Sequence, residues 1–166
     1  MKTADPEVQF STSLKNGKLG VFRIQTLKSQ IEQLLEGRIT FDRTDYNSLA
    51  LDGVEIFFNQ TSNLLDGVIM KLSSCETIMP WQSVLKLSWT DWLIKVPFEV
   101  VTQVLILHKI NFKKVEYMNG SLGVIIRALP ATVEIIFTES SEMDSLRLDF
   151  LNPYQILSNI RTVITH

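Results

Sequence analysis

Cysteine is almost absent from this chain, as are an excess of one charge and a long apolar run. Cys75 is the single cysteine of 166 residues, which excludes an internal disulfide and a cysteine-rich metal cluster and favours a reducing compartment. The 16 basic and 18 acidic side chains leave a net charge of −2, so charge indicates no nucleic-acid ligand. The densest apolar stretch, 100–107, is too short to cross a membrane, and residues 1–10 contain no apolar secretion signal. We therefore expect a cytoplasmic protein.

Histidine is equally scarce, since only His108 and His166 are present. Neither stands near a serine or cysteine that a nucleophile motif would mark, and His108 falls near a predicted helix end, where a structural or solvated role is expected. The glycines form no phosphate-binding loop, and no acidic spacing matches a calcium loop. The sequence thus predicts no catalytic residue, no metal site and no cofactor, and we expect the protein not to be an enzyme.

An approximate internal repeat is the most informative positive feature. Residues 53–58 (GVEIFF) are followed by 67–72 (GVIMKL), and residues 132–137 (TVEIIF) by 145–150 (SLRLDF). Each pair of segments predicts a β-hairpin, and a helical segment precedes each pair, although strand composition alone also gives a similarity this short. We predict an α+β fold of antiparallel meanders with helices mainly on one face. Two tandem halves, 1–75 and 76–166, would pack as one unit, and a single compact unit also fits.

Three helices are predicted from caps and apolar spacing. Thr26 would cap a helix over 27–35 that ends at Gly37, and Pro97 would begin a second helix that runs to His108 or Lys109. Asn152 would cap a third helix, with apolar residues at 156, 157, 160, 163 and 164 along one stripe. Between the halves, 73–96 carries all three tryptophans and predicts short helices packed over the junction.

Two Asn-Gly dipeptides predict tight hairpins, because a type I′ turn needs positive φ at both central positions. Asn16-Gly17 would join Val8–Leu14 to Lys18–Ile24, and Asn119-Gly120 would join Lys113–Met118 to Ser121–Ala128. Lys109, Lys113 and Lys114 lie around Phe112, a pattern that could hold a single-stranded nucleic acid. Lysines leading into a hairpin are, however, typical of an edge strand that is protected against pairing. We therefore predict no nucleic-acid binding.

The strand alternation leaves one face of the predicted sheet mixed in character. Val54, Ile56 and Phe58 share the core side, so their neighbours point the other way. Aromatic and aliphatic residues interleaved with charges resemble an interface core with a polar rim, whereas a covering helix would make them a second core layer. Both interpretations stay open. The candidate partner-binding residues are Phe57, Glu55, Glu134, Ile136, Arg147 and Asp149.

The first half also resembles a known class of proteins. The segments LLEG (34–37), YNSL (46–49), DGVEIFF (52–58) and LDGVIMKL (65–72) are similar to those of small bacterial immunity proteins encoded beside polymorphic or contact-dependent toxins. The tandem helix-plus-meander layout is similar in outline to the β-lactamase inhibitor protein family, which is secreted and carries disulfides that this chain cannot form. The resemblance implies a non-catalytic inhibitor, an antitoxin, that binds one cognate toxin. The alternative is an adaptor or chaperone-like interaction module; neither hypothesis involves nucleic acid or a membrane.

Overall fold

The alternating segments of the sequence form strands of one antiparallel sheet. The computed structural model describes residues 5–36, 42–45, 47–51, 53–71, 80–128, 131–137, 143–149 and 160–164. Within these residues the sheet order is β1-β2-β3-β4-β8-β7-β6-β5-β9, and every neighbouring pair is antiparallel. The strands are β1 (Asp42–Asp45), β2 (Ser48–Leu51), β3 (Val54–Phe58), β4 (Leu65–Lys71), β5 (Phe112–Tyr117), β6 (Leu122–Ala128), β7 (Ala131–Phe137), β8 (Met143–Asp149) and β9 (Ile160–Ile164).

Two four-stranded meanders, β1 to β4 and β5 to β8, meet where their last strands pair. Ile69 of β4 lies opposite Arg147 of β8. On the two outer sides of this pair, Glu55 lies opposite Ile69 and Glu134 lies opposite Arg147. The two V-E-I triplets therefore occupy equivalent places about a local twofold axis that passes between Ile69 and Arg147. The prediction of an α+β fold with two similar helix-plus-meander halves is confirmed.

The helices cover one face of this sheet. They are α1 (Pro6–Lys15), α2 (Lys28–Leu35), α3 (Pro80–Val84), α4 (Thr90–Leu93) and α5 (Phe98–Leu107). Buried residues of α1, α2, α4 and α5 join those of β3, β4, β6 and β7 in one continuous hydrophobic cluster, with the Phe98 ring edge-on to Phe137 at 5.3 Å between centroids. Both halves thus share a core, and the predicted helices that end near Gly37 and begin after Pro97 are confirmed as α2 and α5. The predicted cap is wrong, because Leu27 precedes α2 and the Thr26 hydroxyl donates to the Arg23 carbonyl.

Short helices and tryptophans fill the junction between the two halves, as the sequence indicates. Trp89 is buried in the shared core, and its ring centroid lies 5.2 Å from that of Phe10 in α1. Gln82 is also buried, and its Nε2 donates to Thr90 Oγ1 at 2.8 Å and to Asp91 Oδ1 at 3.0 Å, which ties α3 to α4. Cys75 lies outside the described residues.

The hairpin predicted around Asn16-Gly17 is wrong, because its first strand is helix α1. Asp5 caps that helix by accepting a hydrogen bond from the Glu7 amide at 3.1 Å, and Pro6 occupies the first turn. Gly17 does adopt positive φ, at 60°, but as the residue that ends a helix. The bonds from Gly17 N to Leu14 O (3.2 Å) and from Lys18 N to Ser13 O (3.1 Å) are those of a Schellman motif.

The predicted third helix is wrong over its last turn. Residues 160–164 form β9, which pairs with β5 at the edge of the sheet. The remainder of that predicted helix, 152–159, lies outside the described residues. A run of β-branched residues (Ile160, Thr162, Val163, Ile164) favours a strand, and this preference outweighs the helical spacing of the apolar positions.

Candidate functional site

The sheet face turned away from the helices carries different surfaces in its two halves. In the first half, four residues of β3 and β4 define what we call the first outer face: Glu55, Phe57, Ile69 and Lys71. Their neighbours Ile56, Phe58 and Met70 are buried in the core, so the alternation predicted for these strands is confirmed. Phe57 is 36% exposed, Glu55 and Ile69 are half-buried, and Lys71 is exposed.

Phe57 is the chemically unusual member of the first outer face. Its neighbour in the chain, Phe58, is 3% exposed, so the two phenylalanines lie on opposite faces of one strand. Across the ladder Phe57 lies opposite Gly67, which has no side chain to cover the ring. Glu55 Oε1 and Lys71 Nζ, 4.0 Å apart, place an exposed ion pair of both signs on the same face. The result is an aromatic ring beside a charged rim.

The corresponding face of the second half is a small buried cluster. Val115 and Tyr117 of β5 and Ile125 of β6 are buried together, and Ile136 of β7 packs against them partly buried. These residues alternate with core residues such as Val124 and Ile135, so the cluster lies on the opposite side of the sheet from the main core. We call these four residues the second outer cluster.

A buried tyrosine–carboxylate hydrogen bond crosses the sheet beside this cluster. The Tyr117 hydroxyl on β5 donates to Glu134 Oε1 on β7, so the ring spans the intervening strand β6. Gly123 of β6 makes this possible, because a Cβ there would lie 2.6 Å from Tyr117 Cε2 and 2.8 Å from its hydroxyl oxygen. Burial raises the pKa of Tyr117 well above its usual value, and the bond to the Glu134 carboxylate and the negative charge of that group raise it further.

The structure separates the residues that the sequence grouped as one binding face. Glu134 is 4% exposed, so the expectation that it forms a charged rim open to solvent is wrong; a hydrogen-bonded carboxylate sits there instead. Ile136 is part of the second outer cluster. Glu55 and Phe57 remain accessible on the first outer face. In the backbone register Arg147 lies between Ile69 and Glu134, and Asp149 lies between Gly67 and Thr132.

Sequence reasoning missed Tyr117 and Gly123, which fix the second half of the face. Their signal is a glycine inside a predicted strand, across the hairpin from an aromatic residue, since such a glycine commonly marks the close approach of another group. Met118, the residue after Tyr117, is exposed at the β5–β6 turn.

His108 joins two helices on the other side of the sheet. His108 Nε2 lies 3.2 Å from Glu7 Oε1, which links the end of α5 to α1. No cluster of three or more histidine, cysteine, aspartate or glutamate side chains suited to a metal ion occurs in the described part of the chain. Among the helices of that same part, none has the length and apolar character needed to traverse a bilayer.

Comparison with known proteins supports the architecture alone. No family model matches the sequence, and no curated protein matches it. Among solved structures, the chain is similar to a DUF4309 family protein (YjgB) from Bacillus subtilis, with a TM-score of 0.51 over 87% of this chain and 95% of that chain. The two sequences are 8% identical, so the likeness concerns the fold.

Proposed function

We propose that this chain is a protein-binding protein that does no chemistry, and that its partner docks on the first outer face. The observation that carries the proposal is the exposed ring of Phe57 on a sheet surface whose adjacent residues are fixed by the core. Aromatic side chains supply a large share of the energy at protein interfaces, and a ring already held by a strand loses little freedom on binding.

The charges beside Phe57 fit the rim of such an interface. Glu55 and Lys71 form an exposed pair, which contributes little to folding stability because solvent screens it. Rim charges of this kind act mainly on association rate and partner choice. A partner that places an acidic and a basic group over Lys71 and Glu55 would therefore be selected over one that does not.

We propose an immunity protein as the kind of binder, with a cognate bacterial toxin as the partner and the cytoplasm as the compartment. The support is the resemblance of 34–72 to immunity proteins and the single cysteine. An inhibitor of this type needs a rigid surface, and one hydrophobic core shared by both halves supports that requirement.

An adaptor module is the second candidate, and a separate observation favours it. Ile106 and Leu107, at the end of α5, are 65% and 71% exposed, on the helical side of the molecule. Apolar residues this accessible are candidate contacts for another protein. An adaptor could use this surface together with the first outer face, whereas a simple inhibitor needs one of them.

The test is a capture experiment with three baits. Wild-type chain, Phe57→Ala and Leu107→Ala are each immobilised and exposed to lysate of the native cell, and retained proteins are identified. Leu107→Ala is the matched control for the first outer face, because it removes an exposed apolar side chain from the other side of the molecule. It also tests the adaptor, since loss of the partner by Leu107→Ala would favour that second candidate. A partner kept by Leu107→Ala and lost by Phe57→Ala is the expected result. Retention by Phe57→Ala would refute the site.

The identity of the partner then separates the two candidate functions. Expressed alone in a host cell, a cognate toxin stops growth, and co-expression of this chain should restore it. A captured partner that is harmless when expressed alone would contradict the immunity function while leaving the binding site in place.

A further inference from the structure

Strand β9 stands outside the internal repeat of the fold. The local twofold axis between Ile69 and Arg147 relates β1 to β5, the outermost strands of the two meanders. β5 carries β9 on its outer side, whereas among the described strands β1 has no neighbour there. The eight strands of the two meanders thus form a complete symmetric unit, and β9 is an addition to one edge of it.

The sequence of β5 is that of an edge strand. It reads FKKVEY, with Lys113 exposed and Lys114 and Glu116 half-buried. Natural proteins place charges, lysine above all, on strands whose edge must resist pairing with other chains. A strand that is permanently covered needs no such protection. The lysines of β5 therefore indicate that its edge is at times uncovered.

Among the described strands, β9 is held to the sheet on one side only. Within the described residues β5 is the only strand that pairs with β9, and the register shifts between Glu116 and Tyr117. Ten residues, 150–159, separate β8 from β9. They can extend about 33 Å. The four inter-strand steps from β8 to β9 total about 19 Å. The register also places Ile160 about six residues, or about 20 Å, from Asp149 along the strand direction. The direct span is therefore about 28 Å, which uses most of the reach of this connection when β9 pairs within its own chain.

If β9 leaves the outer edge of β5, pairing of that edge with another strand is favoured, because apolar residues of β5 become exposed. Val115 lies opposite Val163 of β9, and Tyr117 lies opposite Ile160. Val115 and Tyr117 are both buried in the second outer cluster. Loss of the neighbouring strand would expose one side of each, at a cost that grows with the apolar area exposed. An occupant must therefore be an extended segment with apolar residues at these two register positions.

We propose that the outer edge of β5 is a strand-acceptor site, and that β9 of a second copy of this chain can occupy it by reciprocal exchange. The second copy is the occupant because its β9 has the required sequence and register by construction: Ile160 opposite Tyr117 and Val163 opposite Val115. Exchange of an identical element preserves every pairing of the closed chain, so it is a low-cost route to a dimer. This site is separate from the first outer face and does not depend on the proposed toxin partner.

The test is disulfide cross-linking between copies that carry one cysteine each. In a Cys75→Ser background, one chain carries Val115→Cys and the other carries Val163→Cys. A chain with both substitutions is the register control, since opposite strand positions lie within disulfide reach. Leu107→Cys mixed with Val163→Cys is the control for random oxidation, because Leu107 is highly exposed.

We expect a disulfide-linked heterodimer of the 115 and 163 variants whose yield rises with protein concentration. Its yield should exceed that of the Leu107 control by at least tenfold. A yield at the control level at every concentration, with the register control forming its internal bond, would overturn the proposal.

Hydrogen exchange on the wild-type chain gives a second readout that needs no substitution in the core. Amides of 160–164 should exchange at least tenfold faster than those of 122–128, because β9 must open without unfolding the meanders. Equal protection of the two strands would overturn the proposal even if Val115→Cys fails to fold.

Discussion

Gly123 offers the sharpest test of the packing described for the second half of the sheet. In most strands, alanine in place of glycine stabilises the fold by about 0.5–1 kcal/mol, because glycine loses more backbone freedom on folding. Here a Cβ would lie 2.6 Å from Tyr117 Cε2 and 3.0 Å from the Ile135 carbonyl oxygen. The carbonyl belongs to the backbone of β7 and cannot yield easily, so the Tyr117 ring must move.

The free-energy cost of moving the Tyr117 ring follows from the hydrogen bond and the packing contacts that the ring makes. A hydrogen bond to a charged group contributes about 1.5–3 kcal/mol, and Glu134 would keep its carboxylate buried without the Tyr117 donor. Displacing a packed ring adds about 1–2 kcal/mol. After the gain from alanine is subtracted, Gly123→Ala should destabilise the protein by about 2–4 kcal/mol.

A double-mutant cycle separates this mechanism from general damage. Tyr117→Val removes the ring, so Gly123→Ala in that background should cost at most about 1 kcal/mol, since the 3.0 Å contact with the Ile135 carbonyl oxygen remains. Urea unfolding followed by tryptophan fluorescence at pH 7 measures all four chains. Costs that simply add, or a neutral Gly123→Ala in the wild-type background, would refute the arrangement of Tyr117 across Gly123.

Three further predictions concern other parts of the fold. Gly20→Ala should destabilise by roughly 3 kcal/mol or more in urea unfolding, since Gly20 has φ of 58° and a Cβ there would lie 2.0 Å from the Leu85 carbonyl oxygen; a neutral variant would contradict this. Phe58→Ala should lower the free energy of unfolding by about 3–5 kcal/mol and Phe57→Ala by roughly 1 kcal/mol, because only Phe58 is buried in the core. Equal losses would contradict our assignment of the two rings to opposite faces. Because the fold raises the pKa of Tyr117, the contribution of this residue to folding stability is complete below about pH 10 and is lost progressively above it. Wild type should therefore lose stability faster than Tyr117→Phe between pH 10 and 11, and parallel curves of stability against pH would contradict this.

Six of the eight strands of the two meanders, β3 to β8, could be predicted from sequence because alternation is a local signal. Val54, Ile56 and Phe58 must be buried together if one face of the strand meets the helices, and the same holds for Val133 and Ile135. A two-residue period needs no knowledge of distant parts of the chain. Hence the central strands followed from residue order, whereas α1 and β9 did not.

The prediction of a hairpin at Asn16-Gly17 was wrong because the dipeptide indicates a backbone angle and does not specify the type of secondary structure. Positive φ at Gly17 serves a helix end as well as a tight turn. The decisive local evidence was Asp5-Pro6, a cap followed by a first-turn proline, which marks the start of α1.

The two glutamates of the V-E-I triplets show where sequence reasoning stops. Glu55 and Glu134 have the same immediate neighbours, yet one is accessible and the other is buried against Tyr117. The difference depends on a side chain 17 positions away that crosses Gly123. The only local mark of this contact between non-adjacent strands is Gly123 itself, which does not name its partner, so half of the predicted binding face was not assigned correctly from sequence.

The central proposal, that a protein partner docks on the first outer face, is tested most directly by calorimetric titration of the purified partner. Wild type, Phe57→Ala and Leu107→Ala are compared at the same temperature, with unfolding curves recorded for each chain. The account predicts that Phe57→Ala stays folded and loses at least tenfold in affinity, about 1.4 kcal/mol, while Leu107→Ala binds within twofold of wild type. A folded Phe57→Ala chain that binds with wild-type affinity would contradict it.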